Sequence, residues 1–330
     1  MPLQIENPSR IQWGVVGLGH AGTRFAEGLQ AVPGASLAAV WGRNPERTSA
    51  YARRFAVPVV CASLSELLAA PIDAVYVATL ADSHSQICIQ ALAAGKHVMC
   101  EKPATLNVRQ IEEVLGMAHR SGRLFMEAMK PPFYPLYRRL REHLAKDPIG
   151  RIGFVRAGHA DSVRAPSYQV NLPEQGGGSL MAMGPYEAFL ALDWLGLCKR
   201  VQTMGRLSAT GVDNLALIQT EHEHGMAQLH AGLDLLSQGD AVLAAPGGCV
   251  FIHPHWWNPE HATIYYADQR IVNLNEPFTH GGFNYETEHF CELIRSGVKE
   301  SPVISHELSL GMARLLQTAR RELGVTFPGE

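Results

Sequence analysis

Residues 17–22 read Gly17-Leu18-Gly19-His20-Ala21-Gly22, set between the apolar run IQWGVV and the start of a helical pattern. A GxGxxG in that setting commits the chain to a strand, a tight turn and a helix packed close against the strand. Gly17 suits the turn, Gly19 lets backbone approach a pyrophosphate, and Gly22 lets helix and strand pack closely. The helix opening at His20 presents unpaired backbone N–H groups, the natural partner of phosphate oxygens. Gly17, Leu18, Gly19, His20, Ala21 and Gly22 are therefore the first candidate contacts of a dinucleotide.

The pattern that follows is the one such a unit needs. β-rich runs at Ile11–Val16, Ser36–Trp41, Ala74–Thr79, His97–Cys100 and Leu124–Ala128 alternate with helical patterns at His20–Ala31, Pro45–Phe55, Ser83–Ala94 and Val108–Ser121. Alternation of this kind predicts a doubly wound parallel sheet with helices on both faces. Beyond Met129 the texture changes. One amphipathic helix, Leu136–Leu144, precedes strand-like runs at Ile152–His159, Val201–Ser208, Leu215–Thr220, Met226–Leu233, Cys249–Ile252 and Thr263–Tyr266. The EHEHG stretch at 221–225 reads as a hairpin turn, and helices at Asn284–Ser296 and His306–Leu323 close the chain. The expected fold class is α/β: a Rossmann domain over residues 1–129, then an α+β domain over 130–330 with an open, mainly antiparallel sheet.

The end of the second strand selects the cofactor. An acid there would take a ribose 2′-hydroxyl, whereas an arginine suits a 2′-phosphate. The chain reads Trp41-Gly42-Arg43-Asn44-Pro45, with no acid at the strand end. A guanidinium is the better partner for a phosphate, so NADP is expected at Gly42 and Arg43, with NAD as the second possibility.

Composition excludes other classes. Lys and Arg number 28 against 31 Asp and Glu, a net charge of −3, with no basic run to serve nucleic acid. The start, MPLQIENPSRIQWGVVG, lacks the cationic and apolar regions of an export signal. Apolar runs such as AVYVATLA fall short of the ~20 residues of a membrane span. Six scattered cysteines with no CxxC pair read as reduced thiols of a cytoplasmic protein. The HxH pairs His222/His224 and His253/His255 have no further ligand at a metal-site spacing, so no metal is expected.

After the Ala74–Thr79 run come Thr79-Leu80-Ala81-Asp82-Ser83-His84, and after the next strand Glu101-Lys102-Pro103. With Met126-Glu127-Ala128, Gly176-Gly177-Gly178-Ser179-Leu180, and Thr210-Gly211-Val212-Asp213, this resembles the Gfo/Idh/MocA oxidoreductase family along nearly the whole chain. Gly184-Pro185-Tyr186 and the HPHWWNP stretch at 253–259 resemble its branch of dimeric dihydrodiol dehydrogenase, NADP-linked xylose dehydrogenase and glucose–fructose oxidoreductase. The resemblance implies a Rossmann domain followed by an open sheet that mediates dimerisation, so a homodimer or higher homo-oligomer is expected. It also implies a small sugar, polyol or cyclic diol as substrate. Lys102 falls on the family's catalytic lysine and Tyr186 on its second catalytic group. Thr79, Leu80, His84, Glu101 and Lys102 fall at the cofactor edge. Three stretches depart from the pattern: Ala182 stands where many members carry Asp, Thr79-Leu80-Ala81 stands for the common Thr-Pro-Asn, and Lys130 and Pro132 stand where the branch carries an aromatic residue and Arg.

The chemistry of these groups is compatible with hydride transfer at a carbinol. Neither Lys nor Tyr is a base at neutral pH unaided. Burial lowers a lysine's pKa, and a neighbouring ammonium favours tyrosinate, so Lys102 and Tyr186 are expected to act as an acid–base pair. Glu101 should point away from Lys102, because consecutive side chains in extended backbone face opposite ways. The competing reading from another class is a non-catalytic NAD(P)-binding regulator of the same fold.

Overall fold

The apolar run before the glycine loop forms β1 (Ile11–Val16), central in a six-stranded sheet whose strands all run parallel. This computed structural model describes residues 10–162, 169–327 and 330 of the chain. The first nine residues, which include the start read above for an export signal, lie outside the described residues.

The first half alternates as its sequence predicts: α1 (His20–Leu29), β2 (Ala35–Trp41), α2 (Pro45–Phe55), β3 (Val59–Val60), α3 (Leu64–Ala69), β4 (Ala74–Val77), α4 (Ala81–Ala93), β5 (His97–Glu101), α5 (Val108–Ser121) and β6 (Phe125–Ala128). Strand order is β3-β2-β1-β4-β5-β6, the doubly wound arrangement with its switch point beside β1 and β4. Local chemistry sets the helix ends. The Asn44 side chain accepts the Arg47 N–H ahead of Pro45, and the Asn107 side chain accepts the Gln110 N–H. Gly122, at φ 63°, ends α5. The sequence reading lacked β3 and α3, and it carried β4 two residues too far, so Thr79 lies in the loop beyond the strand.

After α6 (Pro135–Lys146) the chain enters an eight-stranded sheet, joined on one face by α7 (Ser179–Ala182) and α8 (Gly184–Leu195). Its strands are β7 (Phe154–Ala160), β8 (Cys198–Leu207), β9 (Asp213–His222), β10 (Met226–Gly232), β11 (Ala241–Ala245), β12 (Gly248–Ile252), β13 (His261–Tyr266) and β14 (Ile271–Asn275), in the order β14-β13-β12-β11-β7-β10-β9-β8. All pairs are antiparallel except β7 with β10. The EHEHG stretch turns between β9 and β10, as read. β11 and β14 were missing from the sequence reading. One face of this sheet, with Val155, Ala157, Ile218 and Leu229, is buried. The opposite face carries an exposed apolar row: Met226 beside Phe154 at one end, and Tyr265 paired with Ile271 at the other.

The last two helices return to the first sheet. α9 (Phe283–Arg295) packs along α1, with Phe290 against Trp13 at 5.3 Å between ring centroids. Arg295 donates to the carbonyls of Pro33 and Gly34 at 2.9 Å each. α10 (His306–Glu322) lies against α5 and α8, and the Gln317 side chain accepts the Val108 N–H. The two sheets are thereby clamped with the carboxyl ends of the parallel strands facing α7 and α8. Among the described residues no helix is long and apolar enough to cross a membrane.

Candidate active site

Gly17 leaves β1 at φ 97°, and a Cβ there would stand 2.3 Å from the Ala78 carbonyl oxygen. Only glycine makes this turn while the loop after β4 presses against it. A Cβ on Gly22 would stand 2.1 Å from the Gly17 carbonyl, so helix and loop touch. Gly19 differs: a Cβ there would meet nothing within 4 Å. The space beyond it is an open cradle at the N-terminus of α1, which no side chain caps. The glycine loop thus fits a pyrophosphate on geometry of its own.

That cradle is one end of a cavity of about 1340 Å³. Gly17, Leu18, Gly19, His20, Ala21, Gly42, Arg43, Thr79, Leu80, His84, Glu101, Lys102 and Tyr186 all line it; Gly22 stands behind it. Arg43 and Arg47 are both exposed at its rim, on consecutive sides of the Asn44 cap. Arg47 was not singled out from the sequence, although it lies one helical turn beyond Arg43.

His84 does not present its polar atoms to the cavity. The ring is 2 % exposed and sits between two backbone carbonyls, Nδ1 to Pro103 at 2.9 Å and Nε2 to Thr79 at 3.2 Å. Burial lowers its pKa. From the cavity wall it joins the loop after β4 to the loop after β5.

Lys102 follows β5. Its Nζ donates to the Ala182 carbonyl at the end of α7, 2.6 Å away, and stands 4.6 Å from the centre of the Tyr186 ring. Burial lowers the Lys102 pKa, and the charges of Glu101, Glu187 and Glu127 oppose that shift. Glu101 makes no ion pair with Nζ among the described residues: its carboxylate takes the Tyr76 hydroxyl on one oxygen and the Lys102 backbone N–H at 3.2 Å on the other. The Tyr186 phenol contradicts the tyrosinate expectation. Burial first, then the negative charge of Glu101, hold its pKa well above the ordinary value. The lysine faces the π-cloud of the ring, and no hydrogen bond joins Nζ to the phenol oxygen among the described residues.

The glycine triplet and Asp213 explain each other. Gly178 has φ 116°, and a Cβ on it would lie 2.1 Å from Asp213 Oδ1. The Asp213 carboxylate accepts the Ser179 hydroxyl and the Leu180 N–H, both at 2.7 Å. This fixes α7, and with it the carbonyl that receives Lys102. Glu127 does the same for the other side: its carboxylate accepts the Ala104 N–H at 2.9 Å, pinning the loop that carries Lys102.

Lys130, one of the departures, also reaches the cavity, where Nζ donates to Asn258 Oδ1 at 3.1 Å. Pro132 is buried in a short 3-10 turn and does not line the cavity. His159 on β7 lines the cavity and was not singled out; a polar residue in register with buried Val155 and Ala157 was the available signal. One histidine of each HxH pair bonds within the fold. His222 bonds the Gly196 carbonyl and Thr220, and His253 bonds Thr263. Among the described residues no three potential metal ligands gather.

Residues 11–129 match the family described as the GFO/IDH/MocA oxidoreductase family, NAD-binding Rossmann fold, and residues 137–239 match the GFO/IDH/MocA C-terminal domain. The chain is 29 % identical over 328 residues to scyllo-inositol 2-dehydrogenase (NADP(+)) IolU of Bacillus subtilis, covering 97 % of this chain and 99 % of that one. It is 30 % identical to trans-1,2-dihydrobenzene-1,2-diol dehydrogenase of Macaca fascicularis, with 96 % and 98 % covered. Among solved structures, the 3-ketoreductase KijD10 of Actinomadura kijaniata, in complex with NADP and TDP-benzene, superposes with TM-score 0.83 at 25 % identity over 95 % of this chain and 98 % of that one.

Glu127 generates a prediction about pH. Burial raises its pKa from 4.5 to about 7, against the opposing bond from Ala104. The folded protein therefore holds this proton more tightly than the unfolded chain, and stability falls as pH rises between those two values and is level above them. Glu127→Gln removes the titration. The stability of the variant relative to the parent is expected to grow by up to about 3 kcal/mol across that window, read by urea unfolding at stepped pH. A difference independent of pH would contradict the buried-carboxyl account.

Proposed function

This chain belongs to the GFO/IDH/MocA oxidoreductase family, and from that premise we propose that it transfers a hydride between NADP and a carbinol or carbonyl of a sugar, polyol or cyclic diol. The observation that carries the reading is the Lys102 ammonium on the Ala182 carbonyl, with the Tyr186 ring beside it, in the cavity that opens from the glycine cradle. The glycine loop would hold the pyrophosphate, and Arg43 with Arg47 the 2′-phosphate. When bound, NADP supplies the hydride acceptor.

The chain's own residues handle the hydroxyl. Burial makes the proton on Lys102 Nζ easier to release, so the neutral amine takes the hydroxyl proton in oxidation and the ammonium returns it in reduction. Tyr186 stays a phenol and donates its O–H to the reacting oxygen, orienting it. IolU and the dihydrodiol dehydrogenases, by their names, act on a cyclic polyol and on a cyclic diol, which supports that substrate class. The six free cysteines support a reducing compartment, the cytoplasm. The exposed apolar row on the second sheet supports a homodimer, which sedimentation velocity would read directly.

With a polyol that the parent oxidises, Lys102→Met should lower kcat by about 10²–10⁴ while NADP affinity stays within a few-fold. Tyr186→Phe should lower it less, since an orienting bond rather than the proton acceptor is lost. Unchanged kcat in Lys102→Met would overturn the assignment and favour a non-catalytic cofactor-binding regulator. Arg43→Ala should weaken NADP by roughly tenfold, the double Arg43→Ala/Arg47→Ala variant by about a hundredfold, and NAD by neither. Calorimetric titration checks this, and parallel losses for both cofactors would contradict it.

A further inference from the structure

Beside the Lys102–Tyr186 pair stands a second polar device that the proposed chemistry leaves unused. His159 lies on the inner face of β7 and lines the same cavity. Its Nδ1 stands 3.1 Å from Glu187 Oε1 on α8. Glu187 is fully buried, His159 is its one hydrogen-bond partner among the described residues, and its Oε2 has none. A carboxylate accepts and does not donate, so the imidazole carries its proton on Nδ1 toward Glu187. Nε2 has no partner among the described residues, and the His159 ring forms part of the cavity wall. Trp257 stacks on the ring at 3.9 Å and fixes its plane, and the Tyr186 ring lies 6.3 Å away.

This arrangement is costly for a purely structural histidine. A carboxylate removed from water and met by a single imidazole pays a desolvation penalty that a neutral side chain would avoid. What the dyad gains is a ring of fixed tautomer and fixed plane at the cavity wall, within one substrate's width of Tyr186. An acceptor held in that way suits a hydroxyl proton.

We propose that His159, positioned by Glu187, accepts the hydroxyl neighbouring the one that reacts, so that the cavity selects vicinal diols over isolated alcohols. The inference rests on the substrate class proposed above. Tyr186 takes the reacting oxygen, His159 Nε2 takes the adjacent one, and the two contacts together set which carbon of a ring is presented. No proton leaves the second hydroxyl: the contact binds and orients.

The test titrates trans-1,2-cyclohexanediol and cyclohexanol into the NADP-saturated protein, by calorimetry and by Trp257 fluorescence. The parent is expected to favour the diol by roughly three- to tenfold, the range of one hydrogen bond. His159→Phe keeps an aromatic ring against Trp257 and removes both nitrogens; Glu187→Ala keeps the imidazole and removes its anchor. Both variants should lose the preference for the diol while cyclohexanol binding stays unchanged. Equal losses for both compounds, with or without a lowered melting temperature, would mean a structural role and overturn the proposal. A parent that binds both without preference overturns it alone. A parent that takes up NADP and neither compound overturns it together with the polyol reading.

Discussion

A lysine ammonium donating to a backbone carbonyl 80 residues away is the contact on which the rest of the site depends. Lys102 comes from the end of a parallel strand, and Ala182 from the last turn of a short helix against the other sheet. Neither side is free to drift. Glu127 holds the Ala104 N–H on the lysine side, and Asp213 holds Ser179 and Leu180 on the carbonyl side. Trp13 against Phe290 and Arg295 on the Pro33 and Gly34 carbonyls lock the returning helix to the first sheet. A backbone carbonyl is a weaker anchor for an ammonium than a carboxylate would be, which leaves the lysine able to exchange its partner for a substrate oxygen.

The electrostatics of the cavity follow from burial more than from pairing. Burial is the largest influence on Lys102, Lys130, Tyr186, Glu127 and Glu286, lowering the two lysines and raising the acids. Each of these groups is pushed toward its neutral form, and neutral forms are the ones that exchange protons and hydrogen bonds with a neutral carbinol. Glu286 is fully buried with neither oxygen partnered among the described residues, and burial pushes its pKa well above the ordinary carboxylate range. Lys130 offsets part of that displacement. Lys130 is thus tied electrostatically to a buried acid from α9.

The first half of the fold was legible because short apolar runs alternate with helical patterns bounded by well-marked caps and stops. Asn44 with Pro45, and Asn107 with Gly122, bound two helices at the residues read from the sequence. Elements that escaped were short or poor in such signals: β3 is two exposed valines, and β11 is the alanine-rich AVLAA. At the site, the glycine loop, Lys102 and Tyr186 were legible because short motifs carry them. His159 and Asn258 were not, since each reaches the cavity through packing of distant segments, and Glu187 joins the site only through His159; Arg47 sits one turn beyond Arg43, with no motif to mark it. The tyrosinate expectation failed for a physical reason: the sequence supplied a neighbouring lysine but not the burial, which outweighs it.

The central claim is that one cavity holds NADP along the glycine cradle and presents a substrate oxygen to Lys102. A crystal structure of the protein with NADP and a bound polyol tests it most directly. The account predicts the adenosine 2′-phosphate against Arg43 and Arg47, the pyrophosphate over Gly19, and Lys102 Nζ within ~3.2 Å of a substrate oxygen whose carbon faces the nicotinamide. A structure in which the cofactor lies along the cradle while the polyol sits away from Lys102, its ammonium still on the Ala182 carbonyl, would contradict it.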